Sequence, residues 1–236
     1  MKTELSRIKI QLSESQQVWF SSDQHIEHTG IVKGTSKWAW GTRPFMTQYD
    51  HSRKIIDTIN KMVKENDILV LLGDFVFTND IDIRIYRGLI RCKNIYFCLG
   101  NHDHNIRKNE DLHNLFCQVS NYFEFQFIIP DGSGGHKKHD VVASHYALDT
   151  WNGSNRGSIM LHGHSHGSLP ISRFRKMDVG VDTNKNFAPY NFQYDILPMM
   201  SKRKNRNHHP DTFYQLIRKL SVKMLITFGK VLAKKC

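Results

Sequence analysis

The sequence lacks the features that would place the protein outside the cell or across a membrane. Its cysteines are Cys92, Cys98, Cys117 and Cys236. They have neither the paired spacing of a thiolate metal site nor the pattern of a disulfide framework, so we expect free thiols in a reducing compartment. The N-terminus has no apolar segment of the signal-peptide type. No run of about 18 to 20 apolar residues occurs, which argues against an ordinary membrane span. Together these absences predict a cytoplasmic protein.

Acidic residues are scarce at the C-terminal end of the chain. Residues 202–236 carry 10 of the 33 Lys and Arg but 1 of the 22 Asp and Glu, so this segment supplies +9 of the net charge of +11. A strongly basic chain ordinarily suggests a nucleic-acid or anionic partner. Because the rest of the chain is close to neutral, the total charge says little about what the main domain binds.

The composition and the pattern along the chain indicate one large α/β domain followed by an appendage. With 39% hydrophobic and 11% aromatic residues, the 236-residue chain can bury a substantial core, and we find no internal repeat. We therefore expect one domain over residues 1–200. A basic linker and a C-terminal helix are expected over residues 201–236.

Short apolar runs alternate with helical patterns in the first half of the domain, and strand patterns dominate the second half. Strands are predicted at 18–22, 68–72, 95–99, 123–129, 139–144, 159–161, 176–181 and 190–197. Helices are predicted at 50–65, with Asp50 as the N-cap, and at 82–91. This order predicts two packed sheets with helices outside them.

The C-terminal segment has apolar residues at helical spacing, separated by lysine and arginine. The apolar positions are Phe213, Leu216, Ile217, Leu220, Met224, Phe228 and Val231. The pattern predicts a basic amphipathic helix. It would dock on the main domain or contact an anionic surface, either a membrane or a nucleic acid.

Five short polar blocks stand at the ends of predicted strands or in turns. They are Asp23-Gln24-His25, Gly73-Asp74, Gly100-Asn101-His102-Asp103, Ser144-His145 and Gly163-His164-Ser165-His166. Carboxylate, amide oxygen and imidazole without thiolate suit Mn²⁺, Fe, Zn²⁺, Co²⁺ or Ni²⁺ better than Ca²⁺ or a structural zinc. Their order along the chain predicts a metal centre.

In these five blocks the sequence resembles the calcineurin-like metallophosphoesterase superfamily, in particular its small bacterial and phage-type members. The resemblance covers about residues 18–195. It implies a four-layer α/β/β/α sandwich of two mixed sheets and two divalent metal ions, Mn²⁺ foremost. The metal ligands implied are Asp23, His25 and His166 for the first ion, Asn101, His145 and His164 for the second, and Asp74 as the bridge between them.

The same resemblance implies the chemistry. A hydroxide shared by the two ions would attack the phosphate ester, while His102 gives a proton to the leaving oxygen and Asp103 orients the His102 ring. The block containing Asp74 lacks the Asp-Arg-Gly of Ser/Thr protein phosphatases, and Asp103 stands where those enzymes have Glu. The expected substrate is therefore a phosphodiester, nucleotide or cyclic nucleotide. A DNA or RNA nuclease is the second candidate.

Residues 29–49 have little periodicity and are expected to form a long ordered loop. Trp38 and Trp40 would stack a nucleobase there, and Arg43 would contact a phosphate. The alternative is a surface flap held together by its own aromatic residues. A different class of function, a catalytically idle scaffold with the same fold, is disfavoured because His102 and all seven ligands are present.

Overall fold

The computed structural model describes residues 7–37, 41–77, 82–202 and 204. In chain order, its strands are β1 (Ile8–Gln11), β2 (Val18–Ser21), β3 (Ile68–Leu71), β4 (Asn94–Cys98), β5 (Gln118–Ser120), β6 (Tyr122–Pro130), β7 (His136–Ser144), β8 (Ile159–His162), β9 (Lys176–Asp178) and β10 (Tyr190–Asn191). The α-helices are α1 (Gln48–Met62), α2 (Ile83–Leu89) and α3 (His104–Lys108), joined by short 3-10 segments.

Two mixed sheets pack face to face, which confirms the predicted α/β class. Among the described residues, the first sheet has five strands in the order β1-β6-β7-β8-β9, and the second has five in the order β10-β2-β3-β4-β5. Aromatic residues fill the space between them, with Phe20, Phe127 and Phe192 fully buried. Strands β2, β3 and β4 run parallel, as do β7 and β8. Their carboxyl ends therefore meet at one edge of the sandwich.

The three helices cover the outer face of the second sheet. Ile55, Ile56 and Ile59 of α1 point inward because positions three and four apart share one helical face. The helix begins earlier than predicted. Its N-cap is Thr47, whose side chain accepts the N–H of Asp50 at 3.0 Å, so Asp50 is not the cap. Thr47 and Asp50 form a capping arrangement of the Ser/Thr-x-x-acid type.

Several other boundaries differ from the predicted ones. Strands β1 and β5 were not predicted. The predicted strand at 190–197 is two residues long and continues as helical turns, Phe192–Ile196 and Leu197–Ser201. In the described part of the chain, the outer face of the first sheet is covered by a loop, with Trp151 packed on Val142 and Met160.

The predicted C-terminal helix and most of the 201–236 segment lie outside the described residues, so they stay predictions. Within the described ranges, none of the helices is long and apolar enough to cross a membrane. Cys92, Cys98 and Cys117 are free thiols.

Candidate metal centre

The predicted ligands come together at the carboxyl edge of the two sheets. Each follows a strand: Asp23 and His25 follow β2, Asp74 follows β3, Asn101 follows β4, His145 follows β7, and His164 and His166 follow β8. Backbone hydrogen bonds join the loops, since Asp23 donates its N–H to Gly73 O at 3.0 Å and His25 donates to Asp74 O at 2.9 Å. The parallel strands thus deliver residues that are far apart in sequence to one place.

The backbone at these loops is strained. Five of the seven predicted ligands have left-handed φ values: Asp23 (59°), His25 (48°), Asp74 (55°), His164 (65°) and His166 (47°). For residues with a Cβ this conformation costs about 1–2 kcal/mol each. Strain of this kind persists where the surrounding fold enforces it, and it clusters at functional sites.

Close packing around the ligands requires glycine at two positions. A Cβ on Gly163 would lie 1.9 Å from Ser22 Oγ and 2.5 Å from Asp23 Oδ2. A Cβ on Gly100 would lie 2.2 Å from Asp74 Oδ1. The backbone therefore passes directly against the carboxylates and fixes their direction.

Within the described residues, two sets of side chains are grouped closely enough to hold a metal ion. The first group is Asp23, His25 and His166, and the second is Asp74, His145 and His164, with all ligand atoms of a group within 4.8 Å of one another. Asp74 Oδ2 lies 3.7 Å from His25 Nε2 and 3.5 Å from His145 Nε2. The carboxylate of Asp74 thus lies between the two groups.

The second group has converging acceptor atoms, as a cation site requires. His145 Nδ1 lies 2.7 Å from Leu72 O, which can only accept, so this nitrogen carries the ring proton. In the neutral ring, Nε2 is then an acceptor, and it lies 2.9 Å from Asn101 Oδ1. The lone pairs of His145 Nε2 and Asn101 Oδ1 therefore face each other and the Asp74 carboxylate, which lies 3.5 Å from Nε2. A bound cation resolves this conflict, so the residues fit a metal ion.

The first group has the same character. His166 Nδ1 donates to Asp182 Oδ2 at 2.6 Å, which leaves His166 Nε2 facing His25 Nε2 at 3.3 Å and Asp23 Oδ1 at 3.8 Å. His25 Nδ1 is buried without a hydrogen-bond partner among the described residues. His164 and His166 are the exposed members of the two groups, so a cation can enter from their side.

Burial and hydrogen bonds shift the pKa values of the ligand side chains. Burial raises the pKa of Asp23 to about 6, against the lowering effect of His166 and His145. Burial, together with Arg43, holds the pKa of His25 well below its ordinary value, so the ring is neutral. The hydrogen bond to Asp182 raises the pKa of His166. A divalent cation would favour the ionised carboxylate and the neutral rings.

The Asp103 carboxylate is held by backbone N–H groups of two loops. Its Oδ2 accepts the N–H of Gly100 at 2.7 Å and of Asp74 at 2.8 Å, and its Oδ1 accepts the N–H of Phe75 at 3.1 Å. The hydrogen bonds of the described residues include none between Asp103 and the His102 ring, so the predicted orientation of that ring by Asp103 stays a prediction. The buried carboxylate instead ties the loop after β3 to the loop after β4.

Arg43 also differs from its predicted role. It is 3% exposed, and its five N–H groups bind inside the protein: two to Asp182, one to His51, and one each to Asp23 O and Gln24 O. No N–H is left for a substrate phosphate, so the predicted contact does not fit. Trp38 and Trp40, predicted beside it, lie outside the described residues.

A family model decides the identity of the fold. The model of the calcineurin-like phosphoesterases matches residues 17–197. The chain belongs to this family. The chain also has two candidate groups of ligands for divalent metal ions. Together with the family, they support the identification of the protein as a metal-dependent phosphoesterase.

The relatives of this calcineurin-like phosphoesterase include phage proteins. The Gene 66 protein of Mycobacterium phage L5 is 26% identical over an aligned length of 203 residues, with 76% of this chain and 93% of that protein covered. The Gene 66 protein of Mycobacterium phage D29 is 27% identical over an aligned length of 192 residues, with 73% of this chain and 91% of that protein covered. The crystal structure of AQ665 from Aquifex aeolicus, a protein of unknown function, matches with a TM-score of 0.49 and 19% identity, over 76% of this chain and 97% of that one.

Two aspartates, to which the sequence pattern assigned no role, support the ligand loops. Asp178 accepts from Ser165 Oγ at 2.5 Å and from the N–H of Gly167 at 2.9 Å, and so shapes the loop that carries His166. Asp182 binds His166 and Arg43. Although burial opposes its charge, these hydrogen bonds hold the pKa of the Asp182 carboxyl well below its ordinary value. The sequence signal for these two aspartates is their spacing of four residues in the segment that follows the last block.

Proposed function

We propose that the protein hydrolyses a phosphate ester at a centre of two divalent metal ions, with Mn²⁺ as the preferred ion. The observation that carries the proposal is the place of Asp74. Its Oδ2 lies between His25 Nε2 at 3.7 Å and His145 Nε2 at 3.5 Å, as a bridging ligand requires. Nitrogen and oxygen ligands without thiolate suit Mn²⁺, and also Fe, Zn²⁺, Co²⁺ or Ni²⁺.

The residues have separate tasks in this proposal. When bound, the two cations would lower the pKa of water and withdraw charge from the phosphoryl oxygens. Asp23, His25 and His166 would hold one ion, and Asn101, His145 and His164 the other, with Asp74 shared. His145 and His166 are fixed in the correct tautomer by Leu72 O and Asp182.

His102 is the proposed proton donor to the leaving oxygen. Its N–H binds Asp74 Oδ1 at 2.9 Å, which fixes the residue beside the proposed bridging carboxylate. Its ring lies 5.6 Å from the ring of His25 and 4.5 Å from that of Phe77, centroid to centroid. The side chain is partly exposed and can reach a substrate. A proton donor in this position increases the reaction rate by about 10² to 10⁴-fold.

Two aromatic residues beside the centre support a substrate with a flat ring, such as a nucleotide or cyclic nucleotide. Tyr146 is 48% exposed, and its ring lies 5.1 Å from that of His145 and 4.8 Å from that of His164. Phe77 lies next to His102, and one face of its ring is stacked on His28 at 3.5 Å, centroid to centroid. Aromatic faces bind nucleobases by stacking. The near-neutral charge outside residues 202–236 gives less support to a nuclease.

A substrate panel with purified, Mn²⁺-loaded protein tests the proposal. The panel contains bis-p-nitrophenyl phosphate, 2′,3′- and 3′,5′-cyclic nucleotides, single- and double-stranded nucleic acid, and phosphomonoesters. We expect metal-dependent turnover of a phosphodiester, and a loss of about 10²-fold or more in kcat for His102→Ala. His136→Ala, at the opposite end of β7 from the ligand His145, is the matched control and keeps full activity.

Two results would contradict this reading. If the metal-loaded protein turned over no ester, the result would contradict the enzyme proposal and favour the scaffold alternative. Turnover that is unaffected by His102→Ala would remove the proton-donor role. Tyr146→Ala tests the stacking idea separately, because it should raise KM for cyclic nucleotides and leave KM for a small alkyl phosphodiester nearly unchanged.

A further inference from the structure

Arg43 connects the loop that precedes α1 to the first metal group. The loop holds Arg43 through its backbone, with Arg43 N–H donated to Ile31 O at 2.7 Å and Arg43 O accepting from Lys33 N–H at 3.0 Å. The guanidinium then reaches inward. It binds Asp182 with two parallel hydrogen bonds, at 2.8 Å from Nε and 2.7 Å from Nη2. The remaining N–H groups bind Asp23 O at 2.7 Å, Gln24 O at 2.8 Å and His51 Nε2 at 2.8 Å.

These contacts support the ligands of the first group. The carbonyls of Asp23 and Gln24 belong to the strained turn that presents the Asp23 and His25 side chains, both with left-handed φ values. Asp182 carries the support to the third ligand, since its Oδ2 accepts from His166 Nδ1 at 2.6 Å. Fixing that proton leaves Nε2 of His166 as the acceptor directed at Asp23.

The second group is held by other contacts. Leu72 O orients His145 at 2.7 Å, and Asp103 fixes the backbone N–H of Asp74 at 2.8 Å. In the described ranges, two links join the groups outside Asp74: the N–H of His164 binds the Asp23 carboxylate at 2.9 Å, and His164 and His166 lie on one loop after β8. Within those ranges, the hydrogen bonds of Arg43 and Asp182 reach ligands of the first group and none of the second.

We propose that Arg43 and Asp182 form a positioning clamp that sets the affinity of the first metal group and leaves that of the second nearly unchanged. The clamp rests on the dinuclear centre of the proposed function. Carboxylates that hold a metal-binding histidine are typically worth about 10 to 100-fold in metal affinity. Arginine is required because lysine has at most three donors and cannot form the planar fork to Asp182.

Calorimetric titration of the metal-free full chain with Mn²⁺ tests the clamp. The wild type is expected to bind two ions. In Asp182→Asn and in Arg43→Lys, one of the two affinities should fall by about 10 to 100-fold. The other should stay within about threefold of the wild type. Electron paramagnetic resonance supplies a second readout, because one equivalent of Mn²⁺ should then give the signal of isolated ions and not that of a coupled pair.

Arg175→Lys is the matched control. Arg175 is also a buried arginine, 8% exposed, that binds backbone carbonyls, among them Gly157 O at 2.8 Å. The substitution should leave both affinities unchanged. Circular dichroism in EDTA checks that each variant is folded. If Arg43→Lys does not fold, Asp182→Asn still tests the clamp, because it keeps the shape of the side chain.

The outcomes separate the clamp from the centre itself. Weakening of one site alone supports the clamp. If the wild type binds two ions and both affinities fall equally in the clamp variants, or neither changes, the clamp is overturned. The proposed dinuclear centre is unaffected by that result. A wild type that binds fewer than two Mn²⁺ ions overturns both.

Discussion

Asp103→Asn distinguishes a structural carboxylate from one that serves His102. The carboxylate accepts three backbone N–H groups, from Gly100 at 2.7 Å, Asp74 at 2.8 Å and Phe75 at 3.1 Å. In the variant, the amide oxygen can replace Oδ2, but the NH₂ then faces the N–H of Phe75. The hydrogen bond from the Phe75 N–H is then lost, and this N–H is left without an acceptor. The hydrogen bonds from Gly100 and Asp74 remain, but their acceptor is no longer charged.

Burial raises the pKa of Asp103 to about 6, so the neutral amide also removes part of the cost of burying a charge. The net loss is about 1–2 kcal/mol in the free energy of unfolding. For a domain of this size it corresponds to a fall of about 2–8 °C in Tm. Thermal and urea denaturation at pH 8 in EDTA measure the effect without metal. His102→Ala, at a partly exposed side chain, should change stability by less than about 1 kcal/mol. Unchanged stability of Asp103→Asn, with a loss of kcat equal to that of His102→Ala, would refute the reasoning and restore the orienting role.

Two further predictions follow from the charges and the packing of the centre. Asp23 has a pKa of about 6 and His166 has a raised pKa, and the protonated forms of both side chains do not bind a cation. Calorimetry should therefore show that the Mn²⁺ affinity falls as the pH drops below about 7. A constant affinity between pH 8 and 5.5 would contradict this. Gly163→Ala places a Cβ 1.9 Å from Ser22 Oγ and should abolish binding at the first group, as measured by metal content after dialysis. Gly88→Ala, where a Cβ meets nothing within 4 Å, should bind normally, and equal metal content in both variants would count against the packing argument.

The sequence was sufficient for the buried central strands and for the polar residues at their carboxyl ends. Buried parallel strands such as β3 are continuous apolar runs, and the polar residues that follow them stand out at the edge of the sheet. Edge strands gave weaker signals: β1 has alternating half-buried residues, and β5 has three residues. The segment after Tyr190 alternates polar and apolar residues like a strand, but its Asn191 side chain caps a helical turn by accepting the N–H of Gln193 and Tyr194.

The roles of the supporting residues were harder to predict than the ligands. Asp103 follows His102 directly in the chain, yet its carboxylate turns toward backbone N–H groups that come from two loops. Arg43 has a long side chain, and the pattern around it does not show whether it points outward to a phosphate or inward to Asp182. Such choices depend on contacts between residues far apart in sequence, here 139 positions for Arg43 and Asp182.

Anomalous diffraction from crystals soaked in Mn²⁺ tests the central claim most directly. The account predicts two peaks about 3.5–4 Å apart. One should lie among Asp23, His25 and His166, the other among Asn101, His145 and His164, with the Asp74 carboxylate touching both. A single peak at saturating Mn²⁺, or two peaks with Asp74 bound to one ion alone, would contradict a dinuclear centre bridged by Asp74.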